Sequence, residues 1–113
     1  MLGISKNDQY YVEKILKDNK FLLTHTQGMT KEALEKNEVL VDSVLFRFIQ
    51  ISENIKRLTD EFKNKHTEIP WISVIGLRNR IVHDYGEIKL EIIHHTLHND
   101  LVNLNEIFKN SLY

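Results

Sequence analysis

Residues 38–64 read EVLVDSVLFRFIQISENIKRLTDEFKN. Large apolar residues recur in this stretch every three or four positions, which is the spacing of one face of an α-helix. They are Val41, Val44, Leu45, Phe48, Ile51, Ile55, Leu58 and Phe62. The pattern predicts a long helix from about Glu38 to Asn64 with one side buried in a core.

A second side of this predicted helix is also partly apolar. At about 100° per residue, Phe46, Ile49 and Glu53 gather away from the main apolar stripe. Two interpretations fit this arrangement. Either the helix has a second binding partner, or it is the central helix of a bundle and touches neighbours all round.

The residues before this helix predict two more helices. Ser5, with Asp8 three residues later, is a plausible N-cap, and a helical apolar pattern follows as far as Leu23. Gly28 suits the left-handed position just past a helix end. Thr30 can cap a short second helix that ends near Lys36.

The residues after it predict the remaining helices. Pro70 fits a first helical turn, and a helix from Trp71 to about His83 follows before Gly86 breaks the pattern. A final helix from about Ile88 to Asn110 carries a core stripe, namely Leu90, Ile93, Leu97, Leu101, Leu104 and Phe108. We therefore expect residues 1–113 to form a single domain, an all-α, up-and-down bundle of four to five helices with short connections.

Composition restricts the function. With 42% apolar and 27% charged residues, the chain has the composition of a folded globule. It has no Cys, which excludes disulfides and thiolate metal sites, and no apolar run of about 20 residues that could span a bilayer. The sequence predicts a cytoplasmic protein with no membrane partner and no cofactor. Its net charge of −1 means that any nucleic-acid contact must come from a local concentration of cations.

The segment GLRNRIVHDYG, residues 76–86, is dense in groups that can carry chemistry. Asn79 lies four residues before His83, so its amide could orient the imidazole. Arg78 and His83 are separated by about 140° around an unbroken helix. Three arrangements could still bring them together: an early helix end, a long Arg78 side chain that reaches round, or a second subunit that supplies the opposite member.

Arg78 and His83 are a sufficient set of groups for RNA cleavage without a metal. The ribose 2′-hydroxyl is the nucleophile, histidine exchanges protons near neutral pH, and arginine can hold the phosphate. The structural alternative is an Arg78 that pairs with Glu53 beside an ordinary surface His83. Spacing alone favours this alternative, because such motifs occur by chance in many helices.

The residues around the motif change this balance. The pattern Arg78-x4-His83-x-Tyr85 resembles the R-x4-H-x-Y motif of the HepT family of HEPN ribonuclease toxins. The segments IPW (69–71), GLRN (76–79), VHDY (82–85) and NDL (99–101) are similar to family patterns, and residues 51–58 resemble the family's I-G-E-A-x-K-R-L segment. The chain departs from that segment at Ser52 and Asn54, where the family has small residues. If that surface packs closely in a dimer, its geometry differs here.

The resemblance implies a homodimer in which the motifs of both subunits line one cleft, with Arg78 and His83 as the catalytic pair and Asn79 and Glu53 in support. It also implies a partner, a minimal nucleotidyltransferase antitoxin of the MntA type, which attaches AMP to the motif tyrosine, here Tyr85. Together these features describe the toxin of a type VII toxin–antitoxin system that cleaves RNA. The alternative is a non-catalytic HEPN module that binds a nucleotide or docks the nucleotidyltransferase.

Three further features allow a functional interpretation. His94 and His98, with Glu91 nearby, could share a metal ion, but no convincing third ligand follows, and we expect no metal site. Trp71 is expected to anchor the core rather than to stack on a base. Four cations make residues 56–65 basic, which is either a solvated face or a guide for RNA: Lys56, Arg57, Lys63 and Lys65.

Overall fold

The computed structural model describes residues 4–84 and 89–111, and these residues form helices joined by short connections, without a strand among them. The helices are α1 (Lys6–Thr26), α2 (Lys31–Glu35), α3 (Glu38–Lys56), α4 (Asp60–Lys65), α5 (Trp71–Asp84), α6 (Leu90–His95) and α7 (Leu101–Ser111). A π-helical turn, Thr96–Asp100, joins α6 to α7 in one continuous helix. The predicted all-α class is confirmed.

Helix α3 packs against both α1 and α5, which makes it the central helix of the bundle. Its contacts with α1 run in opposite chain directions, since Asp8 meets Thr59 and Asp18 meets Arg47. The helix formed by α6 and α7 packs against α1. The buried apolar side chains form one cluster, and they include the predicted stripes of α3 and α7 except the half-buried Val41 and Leu90.

The predicted starts and ends of the first two helices are confirmed. The hydroxyl of Ser5 accepts a hydrogen bond from the Asp8 backbone N–H at 3.1 Å, and that of Thr30 accepts one from Ala33. Gly28 has a φ of 72°, the left-handed conformation that favours glycine past a helix end.

The prediction of one long helix from Glu38 to Asn64 is wrong. Helix α3 ends at Lys56, and α4 begins at Asp60 after a tight turn. The turn is fixed by the buried carboxylate of Asp8, which accepts hydrogen bonds from the backbone N–H of Thr59 at 2.9 Å and from its hydroxyl at 2.6 Å. Thr59 then caps α4 by accepting from the Phe62 N–H. The apolar period continues through the turn, so the periodicity alone does not reveal the interruption.

The final helix is also less regular than predicted. Three polar side chains bond to carbonyls four residues earlier: Thr96 to Ile92, His98 to His94 and Asn99 to His95. Such bonds compete with the regular backbone ladder and accompany the π turn. The predicted start at Ile88 lies outside the described residues, as does Gly86. Over 4–84 and 89–111, no helix combines the length and the apolar composition that crossing a bilayer requires.

We expect Asp8→Ala to lower the free energy of unfolding by about 2 kcal/mol, because it removes two hydrogen bonds to a buried carboxylate. Urea unfolding followed by circular dichroism measures the change. Asp60→Ala, which removes an exposed carboxylate one residue after Thr59, is the matched control. Equal unfolding midpoints for the two variants would contradict this account of the turn.

Candidate functional site

The site is positioned by the contact between α3 and α5. Ser52 is fully buried, and its hydroxyl donates a hydrogen bond to the backbone carbonyl of Ile75 at 2.8 Å. Asn54 is buried as well. The two residues that depart from the family pattern therefore lie in the interior of one chain and not on an exposed surface.

Arg78 is held by two neighbours. Its Nε lies 3.4 Å from Glu53 Oε1, and one terminal guanidinium nitrogen donates to the Asn79 amide oxygen at 3.3 Å. The ion pair with Glu53 that the sequence suggested is present. The Arg78 side chain is 43% exposed and that of Glu53 is 37% exposed. The pair therefore lies at the surface, and the guanidinium is accessible to solvent.

Arg78 falls in line with apolar residues of α5 that pack against the core, yet its guanidinium is not buried. The buried residue of this part of the helix is Ile81, whereas Val82 is exposed. The residues of α5 that contact the core are Trp71, Val74, Ile75, Leu77 and Ile81. At about 100° per residue Arg78 lies among these residues, but its long side chain reaches Glu53 at the surface and stays 43% exposed.

His83 is exposed near the C-terminal end of α5. Asn79, which was expected to orient its ring, instead bonds to Arg78. In the part of the chain that the structure describes, the His83 ring makes no hydrogen bond or ion pair. An imidazole in this position is free to meet a ligand or a second chain.

The exposed side of α5 carries a row of residues one helical turn apart, namely Ile72, Gly76, Asn79 and His83. Ile72 is 90% exposed, which is unusual for a large apolar side chain. A methyl group added at Gly76 would meet nothing within 4 Å in the chain itself. The packing of the single chain therefore does not require glycine at this position.

Arg78 and His83 lie on different sides of α5. The helix is unbroken from Trp71 to Asp84, so the separation of about 140° expected from the spacing applies. Arg78 is directed towards α3 by Glu53, and His83 faces outward. Tyr85, the predicted site of modification, lies outside the described residues.

The other predicted features have structural explanations. His94 and His98 stack with their ring centres 4.1 Å apart, and each bonds to a backbone carbonyl, His94 to Met29 and His98 to His94. Trp71 anchors the core, as predicted: its indole N–H donates to the carbonyls of Lys63 and His66 at 3.0 Å, and its ring packs near Phe108.

One group of surface residues was missed. Lys14 lies over the ring of Tyr10 at 5.2 Å, and Arg57 lies over that of Tyr11 at 5.9 Å. The signal in the sequence was the spacing of four between Tyr10 and Lys14, which brings them together on a helix. The approach of Arg57 to Tyr11 depends on the packing of α3 against α1, which the sequence does not show.

The fold and the exposed R-x4-H segment place this chain in the class of small all-α HEPN-type domains. The family model described as "Ribonuclease HepT-like" matches residues 15–110. The chain belongs to this family.

Curated relatives agree with the assignment. A protein of Caldanaerobacter subterraneus subsp. tengcongensis named "Putative RNase" is 30% identical over 95% of this chain and 96% of its own length. A "Putative RNase" of Methanocaldococcus jannaschii is 29% identical over 92% and 89%. A "Probable ribonuclease HepT" of Thermococcus cleftensis is 29% identical over 52% and 54%. No solved structure gives a significant match.

Two carboxylates that each bind an arginine should contribute differently to stability. We expect Glu53→Ala to change the free energy of unfolding by less than about 1 kcal/mol, because half-exposed ion pairs are screened by water. Asp18 is only 9% exposed and lies 2.6 Å from Arg47, so we expect Asp18→Ala to cost about 2–3 kcal/mol. Urea unfolding of both variants compares them directly. A larger loss at Glu53 than at Asp18 would show that the Glu53–Arg78 pair is primarily structural.

Proposed function

We propose that this chain is the toxin of a HEPN/nucleotidyltransferase (type VII) toxin–antitoxin system, and that it cleaves RNA without a metal ion. The supporting observation is that one helix, α5, carries an exposed His83 and an Arg78 whose guanidinium is held at the surface by Glu53 and Asn79. Membership of the HepT-like ribonuclease family supports the same activity. A cytoplasmic location stays a prediction from the sequence.

The chemistry needs few groups from the protein. The ribose 2′-oxygen forms a bond to the adjacent phosphorus, and the bond from phosphorus to the 5′-oxygen of the next nucleotide breaks. His83 takes the proton from the 2′-hydroxyl, and a protonated imidazole returns one to the leaving oxygen. Arg78 offsets the charge that grows on the non-bridging oxygens. The products are a 2′,3′-cyclic phosphate and a free 5′-hydroxyl.

We propose that the active unit is a homodimer. In one chain the two catalytic side chains point away from each other, so a phosphate contacted by both is more easily shared between two chains. The row formed by Ile72, Gly76, Asn79 and His83 supports this arrangement, because it offers an exposed apolar residue and a glycine that permits close approach. A symmetric dimer would bring two copies of the row together.

We expect His83→Ala to abolish RNA cleavage and toxicity on expression while the unfolding midpoint stays unchanged, because the ring is exposed and makes no bond to the residues that the structure describes. His95→Ala, at an exposed imidazole on α6, should cleave like the wild type. Gel analysis of a labelled RNA measures cleavage. It should persist in EDTA and leave cyclic phosphate ends. A folded His83→Ala protein that cleaves normally would overturn the proposal, and so would full inhibition by EDTA.

Mixing two inactive variants tests the shared cleft. If Arg78 of one subunit works with His83 of the other, each dimer has two such pairs, and a heterodimer of Arg78→Ala and His83→Ala keeps one of them. We then expect an exchanged equimolar mixture to recover about a quarter of the wild-type rate, since half the dimers are mixed and each has one site. A monomeric active protein would rule out the dimer. A mixture without activity would mean that both groups come from the same chain.

We propose that Tyr85 is the control point and that its modifier is an MntA-like nucleotidyltransferase. An AMP group on a tyrosine two residues from His83 adds bulk and negative charge where RNA must approach. Co-expression with a neighbouring nucleotidyltransferase should therefore add AMP at Tyr85 and block cleavage, as read by mass spectrometry and the gel assay. Tyr85→Phe should stay unmodified and active. Full modification without loss of cleavage would contradict this role.

A further inference from the structure

Away from the motif, the surface carries a second concentration of groups suited to nucleic acid. It consists of Tyr10, Tyr11 and Lys14 on α1 together with Arg57 at the end of α3, and we call it the tyrosine patch. Tyr10 is 55% exposed, and its ring meets that of Tyr11 edge-on at 5.1 Å. Apart from Arg57, the patch lies before residue 15, where the match to the family model begins.

The rings and cations of the patch are paired. The Lys14 ammonium lies 5.2 Å from the Tyr10 ring centre and 3.5 Å from its hydroxyl oxygen. The Arg57 guanidinium lies 5.9 Å from the Tyr11 ring centre. Tyr10, Lys14 and Arg57 are all exposed. Such pairs in a core would serve stability, but exposed cation–π pairs contribute little.

Helix α3 connects the patch to the proposed active site. Arg57 follows Glu53 by one helical turn, and Glu53 contacts Arg78. A ligand that leaves Arg78 can therefore cross α3 at Arg57 and reach the tyrosines of α1. Of the acids near this path, Asp8 is buried and bonded to Thr59, and Glu53 is paired with Arg78. Glu13 is exposed next to Lys14 and accepts a hydrogen bond from Gln9.

We infer that the tyrosine patch binds the single-stranded part of the RNA substrate next to the cleavage site. Lys14 and Arg57 would contact phosphates, and the exposed face of Tyr10 would stack on a base. Stacking on aromatic rings tolerates any base and needs an unpaired strand. This local supply of cations answers the problem posed by a net charge of −1, which leaves the molecule without a general attraction for RNA. The inference rests on the proposed ribonuclease function.

The test uses the full wild-type chain and a fluorescent oligouridylate of about 12 nucleotides, a length within the range of single-strand sites. Every ribose carries a 2′-O-methyl group, so cleavage through the 2′-oxygen cannot occur and binding is read separately from catalysis. We expect Tyr10→Ala to weaken binding about tenfold and Tyr10→Phe to leave it unchanged, because phenylalanine keeps the stacking face. Fluorescence anisotropy gives the affinities.

Salt dependence tests the two cations. Lys14→Ala and Arg57→Ala should each lower the slope of log affinity against log salt by about 0.7, the value for one phosphate contact with a single strand. Lys20→Ala, an exposed lysine near the other end of α1, should leave the slope unchanged. With cleavable RNA, Tyr10→Ala should raise KM and leave kcat close to the wild-type value.

The outcomes separate this inference from the ribonuclease proposal. Equal affinity of wild type and Tyr10→Ala, or preference for a duplex of the same length, would overturn the role of the patch. So would a patch variant that binds RNA normally but loses a protein partner. None of these results bears on whether His83 is needed for cleavage. Conversely, a wild-type protein that does not cleave RNA would overturn the proposed nuclease activity, but the affinities measured with the 2′-O-methyl RNA would still test the patch.

Discussion

The buried hydrogen bond from Ser52 to the carbonyl of Ile75 sets the register of α3 against α5. The arrangement of the site depends on this register. A slip of one helical turn moves a side chain by about 5.4 Å, which exceeds the 3.4 Å contact between Glu53 and Arg78. A larger residue at position 52 would push the helices apart and separate the same pair. The small buried hydroxyl thus determines where the surface guanidinium lies.

Polar groups also restrict how α1 packs in the bundle. Asp8 reaches only the turn at Thr59, and Asp18 pairs with Arg47, whose guanidinium lies 4.0 Å from the ring centre of Phe21. Any shift of α1 along α3 would leave two carboxylates buried without partners, which costs several kcal/mol for each. Asn19 is fully buried, and its side-chain atoms find no partner within the described residues. Its burial is a cost that the surrounding apolar contacts offset.

The predictable part of the fold came from apolar periodicity and capping residues. Ser5, Gly28 and Thr30 each have one local function, so their positions in the sequence were enough. The interruption of the long helix was not predictable in this way, because it depends on Asp8, which is 51 residues away from Thr59. The π turn was missed for a related reason. Thr96, His98 and Asn99 fit an ordinary helix until their bonds to backbone carbonyls are seen.

The site was predictable in its composition and less so in its contacts. Glu53 and Arg78 carry opposite charges on helices expected to be neighbours, which was sufficient to pair them. The amide of Asn79 had two possible partners within reach, and spacing favoured His83, but the adjacent guanidinium offers a charge-assisted bond. The aromatic and cationic residues on α1 had no motif to identify them. Their relation to Arg57 is a product of tertiary packing.

Several large apolar side chains are exposed in the single chain, as expected if a second chain covers them in the proposed dimer. In the single chain, exposure is 90% for Ile72 and 48% for Val82 on α5, and 58% for Phe46 on α3. Burying a large apolar side chain against a second chain gains about 1.5–3 kcal/mol. Ile72 lies on the side of α5 that carries Asn79 and His83, so the proposed dimer, formed there, would lower the local dielectric around the proposed catalytic groups. The same buried interface would then both stabilise the dimer and strengthen the electrostatic contact between Arg78 and the phosphate.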